Sequence, residues 1–249
     1  MNTLIEMLGY KRPAYSKTEE LFLDAFFRPL AKHANVTKFR EDRAGNLIFE
    51  VAGGSTTLFC AHADTMHFDE GMCTPMRVKD KLYAVDEDVL GADDGIGCWI
   101  VRELILAGTP STCIITRGEE YQGIGARFIA PKLVGFQRAI AFDRRGQNSV
   151  ITHQSFARCC SNVFADALIA ELAKAKLRYV QDATGTYCDT AEWTWQIPEC
   201  TNLSCGYKKE HSIYESCSLT FAAKLRDAAL SINWSALPVV RKPSHRRRF

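Results

Sequence analysis

At 249 residues, with 47% hydrophobic and 24% charged residues, the chain has the composition of a soluble globular protein. It is long enough to bury a sizeable core, so it needs neither a disulfide nor a metal merely to fold. A formal net charge of +2 gives no reason to expect a nucleic-acid or membrane partner, and no stretch is apolar for the length of a membrane span.

The opening MNTLIEMLGYKRPAYS is interrupted at Glu6 and holds no apolar core of export-signal length, so the expected location is the cytoplasm. Segment SKTEELFLDAFFRPLAKHA predicts an amphipathic helix. Ser16 and Glu19 form a capping-box signal, and Leu21, Phe22, Ala25 and Phe26 recur at helical spacing. NLIFEVAG alternates as a strand does. Gly53-Gly54 then turns into TTLFCAHAD, a continuous apolar run of the kind found in a central strand covered on both faces. DDGIGCWIVRELILAG places Ile96, Trp99, Ile100 and Ile105 on helical spacing. STCIITRGEE and RAIAFDRRG are two further strands, and TNLSCGYKKEH is a shorter strand leading to His211. DALIAELAKAKL and SLTFAAKLRDAAL are helices. This alternation predicts an α/β sheet with helices on both faces.

No repeat, low-complexity segment or linker divides the chain. A single α/β domain is expected over residues 1–240, followed by a basic, solvated tail over 241–249, RKPSHRRRF. The ten cysteines are scattered without a CxxC pair, and Cys60, Cys98 and Cys113 lie inside apolar runs; they read as reduced, buried thiols and not as a zinc-thiolate site.

Several strands end in polar residues. His62, Asp64, Glu119, Glu120 and Asp143 all follow apolar runs, and Asp93 and Asp94 open a helix. In open α/β sheets ligands bind beyond the carboxyl ends of the strands, and these strand-end residues are expected at such ends. Imidazoles and carboxylates in such a group suit divalent metals, and a pair of ions needs one carboxylate that bridges them. His62, Asp93, Glu120, Asp143 and His211 offer such a set. Glu119, adjacent to a ligand but free, is available as a general base, and Asp64 as the residue that orients the His62 ring. The plainer alternative for Asp93 and Asp94 is a helix cap, with one capping while the other binds metal. His67 and His153 match no such pattern and read as structural.

The segments HADT, LGADDGIG, RGEEYQGIGA, AFDRRG and EHSIYES resemble, in order, the five metal-site motifs of the co-catalytic di-zinc exopeptidases. That superfamily includes peptidase T, carboxypeptidase G, aminoacylase and the zinc aminopeptidases. DRAGNLIFEV resembles the strand pair that precedes the histidine motif there. The resemblance implies a three-layer α/β/α fold with a mixed, mostly parallel central sheet. It implies one metal on His62, Asp93 and Asp143, and another on Asp93, Glu120 and His211, with Asp93 bridging. Glu119 would be the base, Asp64 the orienter of His62, and the Asp93–Asp94 peptide bond cis. The ions would be two Zn2+, although Co2+ or Mn2+ suits the same ligands.

Two departures stand out. The interval from Asp143 to His211 is filled by core strands and helices, leaving no room for the lid domain of peptidase T-like members. Gly95 follows the paired aspartates where many relatives carry lysine. GTYCDTAEW resembles a pocket-lining segment, in which Asp189 either meets a substrate amino group or serves a turn. The lidless layout implies an aminopeptidase acting on short peptides. The alternatives are a deacylase or carboxypeptidase taking an N-acyl amino acid, and a non-catalytic binding protein of the same fold.

Overall fold

The computed structural model describes residues 1–85 and 87–243. Its frame is an eight-stranded sheet. In order across the sheet the strands are Val180–Asp182, Ser149–Ile151, Glu199–Ser204, Arg138–Arg144, Thr57–His62, Ser111–Thr116, Leu47–Val51 and Val36–Glu41. The four strands from Glu199–Ser204 to Ser111–Thr116 run parallel, and antiparallel pairing is confined to the flanks. The fold is therefore three-layer α/β with a mixed, mostly parallel sheet.

The period-two side-chain alternation of a strand explains why TTLFCAH is apolar throughout. Phe59 and Ala61 join one buried cluster, whereas Leu58 and Cys60 join the other. The two covering layers are unequal. On the first face lie the helices Asn2–Met7, Lys17–Phe26, Ala92–Ala107, Asn162–Lys174 and Leu219–Ser231. The second face is covered more thinly, by Ile124–Ile129 and the 3-10 turn Asp189–Trp193, with Trp193 fully buried.

The predicted first helix is shorter than its amphipathic pattern. It stops at Phe26 and continues as a 3-10 turn over Arg28–Lys32, because Pro29 has no N–H to donate and its ring crowds the preceding turn. Leu21, expected on the apolar face, is exposed, whereas Glu19 is fully buried. Ser16 does cap the helix, accepting the Glu19 N–H at 3.1 Å. The Glu19 carboxylate reaches back to the Tyr15 N–H at 2.6 Å.

TNLSCGYKKEH also differs from the predicted single strand. The strand ends at Ser204, the chain turns at Gly206 with φ of +105°, and Tyr207–Lys208 begins a second sheet. That four-stranded sheet comprises Tyr207–Lys208, Ser216–Ser218, Lys81–Tyr83 and Met76–Val78. His211 sits on its connecting loop.

Nine of the ten cysteines are buried. The basic tail lies outside the described residues from position 244 onward. Arg241 is within them, its guanidinium donating to the carbonyls of Thr194 and Ile197 at 2.6 and 2.7 Å. Among the described residues no helix is long and apolar enough to cross a membrane.

Candidate metal centre

His62 is the last residue of the central Thr57–His62 strand. Just beyond it the buried Arg12 guanidinium ties two loops together, donating to the Ala63 carbonyl at 2.7 Å and the Gly91 carbonyl at 3.1 Å. The His62 ring is oriented by the backbone of Asp64, whose carbonyl oxygen lies 2.9 Å from Nδ1; the Asp64 carboxylate is farther, at 3.7 Å. With its proton on Nδ1, the ring turns Nε2 toward Asp93 Oδ1 at 3.3 Å and Asp143 Oδ1 at 3.7 Å.

Asp93 is delivered by a clamped loop. Glu215, 1% exposed, accepts the N–H groups of Leu90 at 2.8 Å, Gly91 at 2.9 Å and Asp93 at 3.1 Å. The Asp93–Asp94 peptide bond is cis. Neither aspartate has helical φ/ψ, so the regular helix begins after them. Asp94 Oδ1 accepts the Gly97 N–H at 2.9 Å, the contact of an N-terminal cap. Asp94 thus caps the helix while Asp93 faces the cluster. Gly95 packs against the end of the Asn2–Met7 helix: a Cβ there would stand 2.6 Å from Leu8 Cδ2, so the Leu8 side chain would have to give way.

Glu119 and Glu120 lie on a tight turn after Ser111–Thr116, beginning at Gly118 with φ of +72°. The Asp64 carboxylate organises this turn. It accepts the N–H groups of Gly118 at 2.8 Å, Glu119 at 3.1 Å and Glu120 at 3.0 Å. Preceding the turn, Arg117 forks onto Glu19 at 3.0 and 2.6 Å, which binds the first helix to the strand end. Asp143 is held from the neighbouring strand. Its N–H bonds Asn202 Oδ1 at 2.9 Å, and the Tyr207 hydroxyl donates to its Oδ1 at 3.2 Å.

These elements bring His62, Asp93, Glu119, Glu120, Asp143 and His211 together. Three groups have ligand atoms within 4.8 Å of one another: His62, Asp93 and Asp143; Asp93, Glu120 and His211; and His62, Glu119 and Glu120. Asp93 belongs to two of them. Its Oδ1 faces His62, and its Oδ2 lies 3.2 Å from His211 Nε2, which is also 2.7 Å from Glu120 Oε1.

Within the cluster, burial and neighbouring charges act against each other. Burial pushes the Glu119 and Asp143 carboxyls well above the carboxylate range, and for Asp143 the neighbouring Asp93 charge adds to it. Burial opposes charge on Asp93 too, yet hydrogen bonds from His211 and His62 hold it below its ordinary value. The Asp93 and Glu120 carboxylates close beside it lift His211 to about 11. His62 is raised as well, because Asp143 and Asp93 outweigh its burial. Imidazole nitrogens and carboxylate oxygens gathered this closely are a donor set that suits divalent ions.

No protein-family model and no curated protein matches the sequence. Solved structures do. Aminopeptidase PepT from Bacillus cereus superposes with a TM-score of 0.75 at 14% identity, over 92% of this chain and 95% of that one. A tripeptidase from Staphylococcus aureus gives 0.73 at 14%, over 92% and 95%. The TET1 peptidase of Pyrococcus horikoshii, which assembles into a tetrahedron or a large octahedral shell, gives 0.67 at 18%, over 91% and 98%. The fold is aminopeptidase-like.

Within this aminopeptidase-like frame a cleft of about 290 Å³ opens over the acidic cluster. Gln154, Gly185, Thr186 and Tyr187 form part of its lining, with Arg144, Arg145 and Glu210 contributing as well. Asp189 does not line it. It is 3% exposed, accepts the Thr116 hydroxyl, and keeps Oδ1 without a hydrogen-bond partner among the described residues. Burial raises its carboxyl to about 6. Of the segment GTYCDTAEW it is Gly185, Thr186 and Tyr187 that face the cleft. Sequence reading passed over Arg12 and Tyr207 and left Glu215 as an ordinary surface residue. Glu215 had a usable signal, since it lies within the EHSIYES motif; Arg12 had none.

Proposed function

We propose that the chain hydrolyses the amino-terminal peptide bond of short peptides with the help of two divalent ions, Zn2+ being the expected pair. The observation that carries this reading is Asp93, a buried carboxylate offering one oxygen to a His62 and Asp143 group and the other to a Glu120 and His211 group. The donor set fits two ions with one shared ligand: His62, Asp93 and Asp143 would hold one, and Asp93, Glu120 and His211 the other. Buried Glu120 Oε1, with no hydrogen-bond partner among the described residues although His211 Nε2 stands 2.7 Å away, supports the same fit.

When bound, such ions supply Lewis acidity, lowering the pKa of water to about 7 and polarising a carbonyl. Glu119 is the proton carrier in this reading. Its backbone is fixed by Asp64, its carboxyl is buried beside His62 and Asp143, and it takes a proton from water and returns it to the leaving amine. Asp64 positions this base through the turn and His62 through its own carbonyl. Glu215 and Arg12 hold the Asp93 loop in register with the strand end.

The test loads the purified chain with zinc, desalts it, counts metal by elemental mass spectrometry, and compares peptides with free and N-acylated amino termini. Two ions per chain with turnover of the free-amine series alone is the expected result. Turnover confined to N-acylated substrates would replace the aminopeptidase by a deacylase or carboxypeptidase. Two bound ions without turnover of either series would leave a binding protein.

A further inference from the structure

Arg144 and Arg145 follow Asp143 directly, and both line the cleft. Arginines beside a group of carboxylates would be expected to pair with them, yet neither does among the described residues. Arg145 pairs with Glu210 at 2.9 Å, and its side chain is 60% exposed. Arg144 stands 3.7 Å from Asp182 and gives Nη2 to the Thr184 carbonyl and hydroxyl at 3.3 and 3.1 Å. Asp182 is already engaged by the Ser149 hydroxyl at 2.7 Å and by the Thr184 N–H at 2.7 Å. Arg144 therefore spends one nitrogen on mostly neutral acceptors, while Nε and Nη1 make no hydrogen bond to a described residue. The structural arginines of this fold behave differently: Arg12 and Arg117 each commit three nitrogens.

We propose that Arg144, supported by Arg145, recognises a carboxylate on the substrate. The proposal rests on the peptide-hydrolase reading and deepens it. A guanidinium presents a planar fork of N–H donors that a carboxylate complements, and a partly buried arginine holds that geometry at lower entropic cost than a lysine. A cleft of about 290 Å³ stands at the small end of ligand sites, so it suits a substrate of very few residues. In a substrate that short, a carboxylate lies close to the scissile bond. It comes either from the peptide's own α-carboxylate or from an acidic side chain.

The experiment compares kcat/KM of the zinc-loaded chain on Leu-Gly against Leu-Gly-amide, and on the p-nitroanilide of Glu against that of Gln. The first pair removes the α-carboxylate, the second the side-chain one. Calorimetric binding of both dipeptides to the Glu119→Gln chain supplies a readout independent of turnover. The carboxylate-bearing member of one pair is expected to win by about 10–100-fold, the range of a charge-assisted hydrogen bond, and Arg144→Gln to bring the ratio within about 3-fold. Arg145→Gln, at an exposed side chain, is expected to lower the ratio partway and serves if Arg144→Gln does not fold. Ratios near one in the unaltered chain overturn the proposal, as does a preference that survives both substitutions. Hydrolysis without preference leaves the peptidase reading standing. Selective binding without hydrolysis of any substrate leaves carboxylate recognition standing and removes the peptidase.

Discussion

Replacing Glu215 by alanine tests whether the loop before Asp93 must be clamped from the far side of the chain. The carboxylate is buried and accepts three backbone N–H groups, those of Leu90, Gly91 and Asp93. Without it, three buried donors lose their acceptor at about 1–3 kcal/mol each, and water entering the vacated space brings the loss toward the low end, about 3 kcal/mol. Glu215→Gln keeps one oxygen for Leu90 and Gly91 but turns an amide N–H toward that of Asp93, for about half the loss. Because the third bond fixes the backbone of Asp93 itself, zinc affinity should also fall by about 10–100-fold, as for other groups that orient a metal ligand. Urea unfolding of the metal-free chain reads the first quantity, and competition with a chromophoric chelator the second. Zinc affinity within twofold of the unaltered chain, in a variant that has lost the expected stability, would refute the reasoning. Glu215 would then hold the loop without setting the ligand geometry.

Glu119→Gln should keep both ions and the unfolding midpoint while turnover falls by about 10²–10⁴-fold, the contribution of a positioned proton carrier; unchanged turnover would remove Glu119 from proton transfer. Asp93→Ala should lose both ions on desalting, since both groups use that carboxylate. Two ions still counted per chain would remove Asp93 from the bridge. Gly95→Ala places a methyl 2.6 Å from Leu8 Cδ2 and should cost about 1–3 kcal/mol in urea unfolding. An unchanged midpoint would mean that the Leu8 side chain shifts aside freely.

The parts of the site that were legible in the sequence are those whose place follows from their own strand or helix. His62 and Asp143 end apolar runs that become central parallel strands, and Asp93 precedes a helix whose spacing is plain in GIGCWIVRELI. His211 was harder, because its loop joins two short strands of a second sheet whose pairing partner, Lys81–Tyr83, lies far back in the chain. Short strands carry too few residues to show a period. The face of the first helix was misjudged at Leu21 for a related reason. Glu19 is drawn inside by Arg117, a residue 98 positions away, and nothing in the helix itself records that partner. Arg12 and Glu215 look like surface charges by residue type, and what buries them is backbone from other loops: Glu215 reaches Leu90 across 125 positions. A ligand at a strand end is a local fact, whereas a clamp is a relation between two segments. For that reason the residues of the acidic cluster could be picked out of the sequence, and those that hold them in place became visible only once the segments were brought together.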